Sequence, residues 1–283
     1  MCKRQPARWL VLVTASVAAF MLSCGGPSTA PPKPGTPAFQ WATAKDAFGK
    51  SDYLKASEQL VTLSEKSTEF TPRAQPMALI LSYGICQGHW SLSEALAEGS
   101  KKAGPRGVRF RSLVIENRAK TTAACMQYIE TARKYMASKP AGEIAIEFGL
   151  PEGLADDPPQ YQRIRKGEMV PDAEIISMTR DVLRREVMLS AARAVGAGKD
   201  AGKARKSFEG GAARIPAGVF LFALGEGLNN VADLFGLKKL DQPARFLKAA
   251  YQTGLEALAQ APDSKETKAL IAKMKEADKK IKE

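Results

Sequence analysis

The chain has 283 residues, with 42 lysines and arginines against 30 aspartates and glutamates, a net charge of +12 and one histidine. A hydrophobic content of 45% supplies enough apolar side chains for a packed core and argues against a disordered chain. The single histidine, His89, excludes a multi-histidine metal site, and four cysteines, two of them near the N-terminus, exclude a zinc ribbon or a disulfide-rich scaffold.

Residues 1–23 have the pattern of an export signal. Three basic residues precede an uncharged, mostly apolar run over residues 9–22. As a helix this run would be about 21 Å long, which is short of the ~30 Å hydrocarbon core of a bilayer. We therefore predict a cleaved signal segment and not a permanent membrane span.

The signal ends in Met21-Leu22-Ser23-Cys24-Gly25. This run resembles the lipobox of bacterial lipoproteins, in which small residues flank a cysteine, although methionine stands where leucine is commonest. The resemblance implies that Cys24 receives a diacylglycerol, that cleavage follows Ser23, and that the new amino group is acylated. Two or more acyl chains hold a protein firmly to a membrane. The alternative is a plain secretory signal in which Cys24 is incidental.

Residues 24–38 are rich in proline and glycine, a composition that neither a helix nor a strand tolerates. In extended polyproline form residues 25–38 reach about 43 Å, so we predict a tether between the lipid and a folded domain. Gly25, and not aspartate, follows the cysteine. In lipoproteins sorted by that residue, this implies the periplasmic face of the outer membrane.

The folded part, residues 39–283, is predicted to be all-α, an antiparallel stack of helix hairpins. Residues 38–50 and 53–66 carry apolar side chains at helical spacing on either side of a short turn. A third helix is predicted over residues 77–87 and a fourth over 92–103, with a turn between them that contains His89.

The first hairpin resembles a tetratricopeptide repeat (TPR). That pattern has a large residue early in the first helix, an aromatic residue two turns later, and a small residue where the second helix crosses, matched here by Trp41, Ala44, Phe48, Ala56, Leu60 and Leu63. Ala95 stands for the crossing residue of the next pair, and Ala250, Ala257 and Pro262 repeat the pattern near the C-terminus. The resemblance covers residues 38–103 and 216–283 and implies extended surfaces that bind peptides or proteins. Any stack of α-hairpins would share the small crossing residues.

The middle of the chain is less regular. A long helix is predicted over residues 108–137, followed by an irregular, proline-rich insertion at about 139–171. Within the insertion, residues 144–148 and 163–165 are predicted to be short extended pieces.

Helical spacing returns after the insertion. Asp172 is predicted to cap a helix that runs through residue 195. Residues 196–215 are expected to form a flexible basic loop, after which Pro216 begins an apolar helix. Asp241 is expected to cap the next helix, and a capping box over residues 263–266 the last one.

A row of polar residues lies on the apolar helix predicted over residues 216–235. Glu226, Asn229, Asn230 and Asp233 share one helical face and form a candidate binding surface that would line a concave groove. The alternative is the solvent side of an amphipathic helix. The two acidic residues argue against a membrane span.

Cys86 and Cys125 remain after removal of the signal, and both fall in predicted helices. An oxidising periplasm permits a disulfide, which would join two helices and stabilise the fold by about 3–4 kcal/mol. The alternative is a pair of buried free cysteines.

Charge is unevenly distributed. Basic residues dominate residues 101–120 and 193–214, while acidic residues dominate 143–160. A basic surface can contact anionic lipid, an acidic glycopolymer or an acidic partner protein, or it can be solvated without a partner. An exported protein does not normally meet nucleic acid, so we predict no nucleic-acid role.

No catalytic constellation is recognisable. Gly49-Lys50-Ser51 imitates the end of a P-loop without its first glycine or its preceding strand. His89, in its predicted turn, is expected to be a surface or capping residue and not a general base. Asp156 and Asp157, on the proline-rich segment, are expected to be exposed to solvent. We therefore predict a non-enzymatic protein with no catalytic residues, cofactor or metal.

Anchor, tether and repeat together favour a lipid-anchored scaffold or adaptor that binds envelope proteins through its helical surface. One alternative is a small-ligand-binding accessory lipoprotein of a transport system, with an apolar pocket under the 216–235 helix. Another is an envelope enzyme that works through the acidic residues of the insertion, Glu147, Glu152, Asp156 and Asp157.

Overall fold

The computed structural model describes residues 32–151, 157–237 and 244–281, which form an all-α stack of helices. The all-α prediction is confirmed. In chain order the helices are α1 (Pro37–Gly49), α2 (Tyr53–Ser64), α3 (Thr71–Ala103), α4 (Val108–Ala137), α5 (Pro159–Arg165), α6 (Asp172–Ala194), α7 (Ala201–Ser207), α8 (Ala217–Leu237), α9 (Ala244–Ala259) and α10 (Lys265–Lys279). Two strands, β1 (Glu143–Ile146) and β2 (Ala213–Pro216), form a small antiparallel sheet.

The first two helices form the predicted hairpin. Thr36 caps α1 by accepting a hydrogen bond from the backbone N–H of Phe39, and Asp52 caps α2 by accepting one from Lys55. The hairpin buries the apolar residues that the spacing selected, including Trp41, Ala44, Ala56, Leu60 and Leu63. Its second helix packs on α3.

Helix α3 is continuous, so the turn predicted between residues 87 and 92 is wrong. Gly88 lies inside the helix, at a point where α6 approaches α3 very closely. A Cβ atom on Gly84 would lie 2.6 Å from the Cα of Val187, and one on Gly88 would lie 2.7 Å from a methyl group of Leu183. These glycines serve helix packing and not a chain reversal.

The prediction of a second TPR-like helix pair, over residues 77–87 and 92–103, is therefore also wrong. Ala95, assigned to the crossing helix of that pair, belongs to the same helix as the residues it was to cross. The real partner of α3 is α4, which returns antiparallel after the 3₁₀ turn Gly104–Gly107. The structure joins Cys86 and Cys125 in a disulfide, with Cα atoms 5.2 Å apart, that links α3 to α4.

The long helix predicted over residues 108–137 is confirmed, and the described part of the insertion after it contains regular structure. Strand β1 matches the first predicted extended piece, and Ile144 pairs opposite Ile215 in β2. The prediction that residues 163–165 form a second extended piece is wrong, because these residues complete α5. The loop predicted over 196–215 is wrong as well, since α7 and β2 occupy much of it.

At three predicted helix starts, the observed start or capping residue lies about one residue from the predicted position. Asp172 is the first residue of α6, after Pro171 at the N-cap, and it pairs with Arg109. Pro216 ends β2, and α8 begins at the next residue. In α10 the capping side chain is Ser264, which accepts a hydrogen bond from the N–H of Thr267.

The buried residues form two clusters. The larger runs through α1, α2, parts of α3 and α4, the C-terminal half of α6, α7, the sheet, and α8 to α10. The smaller lies where the end of α3 meets the start of α4, α5 and α6. The α3–α4 hairpin contributes to both clusters, and α2, α5, α6, α8 and α9 pack directly on it.

Several predictions fall on residues outside the described ranges. These are the signal over residues 1–23, the lipidation of Cys24, the first part of the tether, the acidic residues Glu152 and Asp156, and the cap at Asp241. Within the described ranges, no helix combines the length and the apolar character that crossing a membrane requires.

Candidate ligand-binding groove

An open groove of about 500 Å³ lies between α2, α3 and α4. Most of its exposed surface is apolar, as is usual for small-molecule sites, although polar and charged residues also contribute to the walls. The lining consists of Leu54, Ser57, Glu58, Val61 and Thr62 from α2, Ser82, Ile85 and His89 from α3, and Lys120, Ala123, Ala124 and Gln127 from α4.

The three helices are held in place around this groove. The disulfide joins Cys86 to Cys125, which are the chain neighbours of the lining residues Ile85 and Ala124. It therefore fixes the spacing between two of the three walls. Leu54, which is 50% exposed, lies at the rim on α2.

His89 is the most buried polar side chain of the lining apart from Ser82, with only 2% of its surface exposed. Its Nδ1 lies 2.9 Å from Oδ1 of Asn117. The amide nitrogen of Asn117 donates to the backbone carbonyl of Leu113 at 2.8 Å, so the amide oxygen is the atom that faces the imidazole. An amide oxygen only accepts, and Nδ1 must therefore carry the proton.

The other ring nitrogen of His89 is a buried acceptor without a partner among the described residues. Because Nδ1 carries the proton in the neutral ring, Nε2 is unprotonated and its lone pair can accept a hydrogen bond. Burial lowers the pKa of His89, and the nearby Lys120 lowers it further, against the opposing effects of Asn117 and Glu116. The imidazole is thus neutral at neutral pH. The prediction that His89 is a surface or capping residue is wrong.

Charged side chains of both signs lie at the groove. Lys120 donates to Glu116 at 2.6 Å, and that hydrogen bond lowers the pKa of the carboxyl group. Glu58 lines the groove from the opposite wall. The charged groups at the groove are therefore one lysine and two glutamates, with a neutral histidine buried beneath them.

The row of polar residues predicted as a binding surface on α8 lies largely inside the fold. Asn229 is buried and donates to Asp233 at 3.2 Å, and Asp233 also accepts from Lys273 of α10 at 2.8 Å. Asn230 donates to the hydroxyl group of Tyr83 on α3 at 3.0 Å. These contacts join α8 to α3 and α10.

Glu226, the remaining member of the row, is half-buried near two tyrosines. Its charge adds to the effect of burial, which raises the pKa of Tyr83 and of Tyr128. A cavity of about 20 Å³ lies beside these tyrosines, beneath α8, with room for about one water molecule. That cavity is too small for the ligand pocket predicted there.

Of the four acidic residues considered for an enzyme, the structure describes Glu147 and Asp157, and both are engaged in ion pairs. Glu147 pairs with Arg73, whose guanidinium lies 4.6 Å from the ring of Trp41. Asp157 pairs with Arg185. Each carboxylate thus faces its own arginine.

A basic and apolar surface, called here the basic face, lies at the start of α4 and the end of α3. Val108 and Ile115 are 61% and 71% exposed, although both are aliphatic. They share one side of α4 with Arg111 and Arg118, since the spacing of these residues is helical. The basic face consists of Lys101, Lys102, Arg106, Val108, Arg111, Ile115 and Arg118.

Comparisons with known proteins give no relative for this chain: no family model matches it, and no curated protein or solved structure does so either. The chemistry of the site is therefore read from its own residues.

The sequence contained a signal for the groove that the wrong turn concealed. Ser82, Ile85 and His89 are spaced three and four residues apart, so on one continuous helix they share a face. The turn that was predicted around His89 would place this residue outside the helix of Ser82 and Ile85, so the three would not share a face.

Proposed function

We propose that the chain is a lipid-anchored adaptor of the bacterial cell envelope that binds an acidic partner protein through the basic face. The observation that carries this proposal is the exposure of two aliphatic side chains, Val108 and Ile115, within a cluster of cations. Exposed apolar surface rimmed by charge is a usual mark of a docking site.

The cations of the basic face differ in how far they are neutralised. Lys102 pairs with Glu98 at 2.8 Å, and Arg118 lies 4.0 Å from Glu94. In the described part of the chain, the other three make no salt bridge: Lys101, Arg106 and Arg111. Unneutralised cations around apolar residues suit a partner that offers carboxylates beside apolar side chains.

The apolar side chains and the charges of the basic face would both favour binding. Burying a side chain of the size of Ile115 contributes about 1.5–3 kcal/mol. Rim charges mainly raise the association rate and select the partner, and their effect weakens in salt. The partner complex should therefore be sensitive to ionic strength.

The anchor is the second part of the proposal. Cys24 in its lipobox-like setting would carry the acyl chains, and the segment up to residue 38 would hold the helices away from the bilayer. Labelling of cells with an alkyne fatty acid should mark the wild-type protein and leave Cys24→Ala unmarked. An unmarked wild-type protein would remove the anchor from the proposal.

Crosslinking and co-purification from solubilised envelopes test the partner. The wild type should retain one acidic protein in stoichiometric amount, and less of it as the salt concentration rises. The double variant Arg111→Glu/Ile115→Glu should lose it. The matched control is Ile176→Glu on α6, a residue that is 62% exposed and lies outside the basic face.

Two results would contradict an acidic protein partner. One is equal capture by the double variant and the control. The other is binding of the basic face to vesicles with anionic lipid, or to an acidic glycopolymer, with no protein retained, because the same charges suit those surfaces.

The groove between α2, α3 and α4 favours a second candidate function, small-ligand binding, as in an accessory protein of a transport system. Its volume lies in the range of about 300–1,000 Å³ that is typical of ligand sites. This candidate uses a different surface, so both functions can reside in one chain.

A further inference from the structure

We infer that the acidic partner docks through one amphipathic α-helix, which lies along the solvent side of α4 for about four turns. The inference rests on the proposed function and deepens it, because it names the element of the partner that the basic face receives. The contact residues on α4 are called here the α4 seam: Val108, Ser112, Ile115, Ala119 and Thr122.

The α4 seam has the spacing of a coiled coil. Its residues follow one another at intervals of four, three, four and three positions, an alternation that repeats every seven residues. Val108, Ile115 and Thr122 are β-branched, and the residues between them, Ser112 and Ala119, are small. In a pair of supercoiled helices, a side chain of one helix inserts into a hole between four residues of the other. The small residues leave room for such side chains of the partner.

The α4 seam lies on the side of the helix that points away from the core. Phe110, Asn117 and Thr121, which belong to the opposite side, are buried. Ser112 and Ala119 are exposed, like the two aliphatic residues of the basic face. The described residues therefore leave this side of α4 open to a second helix.

The length of the open side sets the length of the partner helix. Met126, the next position of the seven-residue pattern, is partly buried and packs against the larger cluster. At the other end, the 3₁₀ turn Gly104–Gly107 precedes Val108. From Val108 to Thr122 an α-helix rises by about 21 Å, which a partner helix of about 15 residues would cover.

The charges beside the α4 seam select an acidic helix. Arg111 and Arg118 are seven residues apart and follow one flank of the seam, where coiled-coil helices form their salt bridges. Arg111 makes no salt bridge in the described part of the chain, and Arg118 comes no closer than 4.0 Å to Glu94. A partner helix with two carboxylates at the same spacing would pair with both arginines.

Two other occupants are disfavoured by charge. A second copy of this chain would bring the same cations, including Lys101 and Arg106, to the contact, and like charges across an interface oppose association. The chain's own segment 24–38 contains no acidic residue, and its prolines disfavour a helix. A helix of another protein therefore fits best.

Site-specific photo-crosslinking in cells tests this contact. The full-length protein carries p-benzoylphenylalanine at Glu116 or at Ala123, on the flank opposite the arginines, and mass spectrometry identifies the partner residue that each position reaches. These positions are about 10.5 Å apart along α4, so the two partner residues should lie about seven positions apart in one segment. An extended segment would place them about three apart. The same probe at Ile176 on α6 is the control and should not reach this segment.

Two substitutions at one position test how closely the helices approach. Ala119→Trp fills a hole of the α4 seam and should reduce the co-purified partner by about fivefold or more. Ala119→Ser keeps the side chain small and should retain the partner within about twofold of the wild type. Because Ala119 is exposed, both variants should unfold in urea like the wild type.

The outcomes separate this inference from the adaptor proposal. Partner residues about three apart or in unrelated segments, or equal capture by Ala119→Trp and Ala119→Ser, would overturn the docking helix and leave the adaptor in place. Crosslinking of a second copy of this chain alone, or of no acidic protein, would remove both. The crosslink spacing does not depend on Ala119→Trp, so it decides even if that variant disturbs the fold.

Discussion

The groove around His89 and the polar row on α8 both contain a buried acceptor without a partner among the described residues. In the groove it is Nε2 of His89, and in the row it is Oδ1 of Asn229. The polar side chains around Asn229 form hydrogen bonds, and the row joins α8 to α3 and α10. Around His89 about 500 Å³ of largely apolar space remains.

The difference shows that polar residues on an apolar helix do not by themselves mark a site. A row that is complementary to neighbouring helices becomes part of their contact, as Asn230 does with Tyr83. A lone polar group beside open apolar space can serve a ligand. Space next to the group decides between the two roles, and space is a tertiary property.

The largest effect is expected from the disulfide that holds the groove. Replacing Cys86 and Cys125 together by alanine should lower the free energy of unfolding by about 3–4 kcal/mol, because the open chain gains entropy when unfolded. Urea denaturation measures this change. A loss below about 1 kcal/mol would show that α3 and α4 are held together by packing alone.

The second effect is a pH dependence of stability that originates at His89. Because burial lowers its pKa in the folded state, the unfolded chain binds the proton more readily. Stability should thus fall as the pH drops below about 6.5, by at most about 1.4 kcal/mol per pH unit. Denaturation of the wild type and of His89→Gln between pH 7.5 and pH 5 measures it.

The difference between these two proteins isolates the histidine. Lys120, Glu116 and Glu58, the charged groups at the groove, are present in both, as are the carboxylates elsewhere that titrate in acid. Parallel curves for the wild type and His89→Gln would contradict a buried neutral imidazole.

A smaller effect is expected within the polar row. Removing the amide of Asn230 takes away the donor to the buried hydroxyl group of Tyr83 and should cost about 1 kcal/mol. A double-mutant cycle with Asn230→Ala and Tyr83→Phe separates this contact from other losses. Strictly additive effects would mean that the row does not couple α8 to α3.

The smallest effect is expected at the exposed end of the row. Lys273 reaches Asp233 at 2.8 Å, but the lysine side chain is 54% exposed. Such surface pairs contribute about 0–1 kcal/mol and weaken in salt. Lys273→Ala should change the unfolding free energy by less than about 1 kcal/mol, and a larger loss would show that the pair behaves as a buried one.

Local signals predicted much of the fold. Helical spacing located α1, α2 and α4, and the structure adds Asp52 as the capping residue of α2. These features depend on residues close together in the chain. The all-α class follows from the same signals.

Contacts between distant residues account for what the sequence could not provide. Gly88 reads as a turn residue, yet the approach of Leu183 from α6 is what makes glycine necessary there. Strand β2 forms because Ala213–Pro216 finds β1 far earlier in the chain. The groove likewise depends on how α2 lies against the α3–α4 hairpin.

The most direct test of the central claim is the long-range ¹H–¹⁵N correlation spectrum of the single histidine in the unliganded protein at pH 7. It should show a neutral imidazole with the proton on Nδ1 and an unprotonated, buried Nε2. A proton on Nε2, or a charged imidazolium, would contradict it.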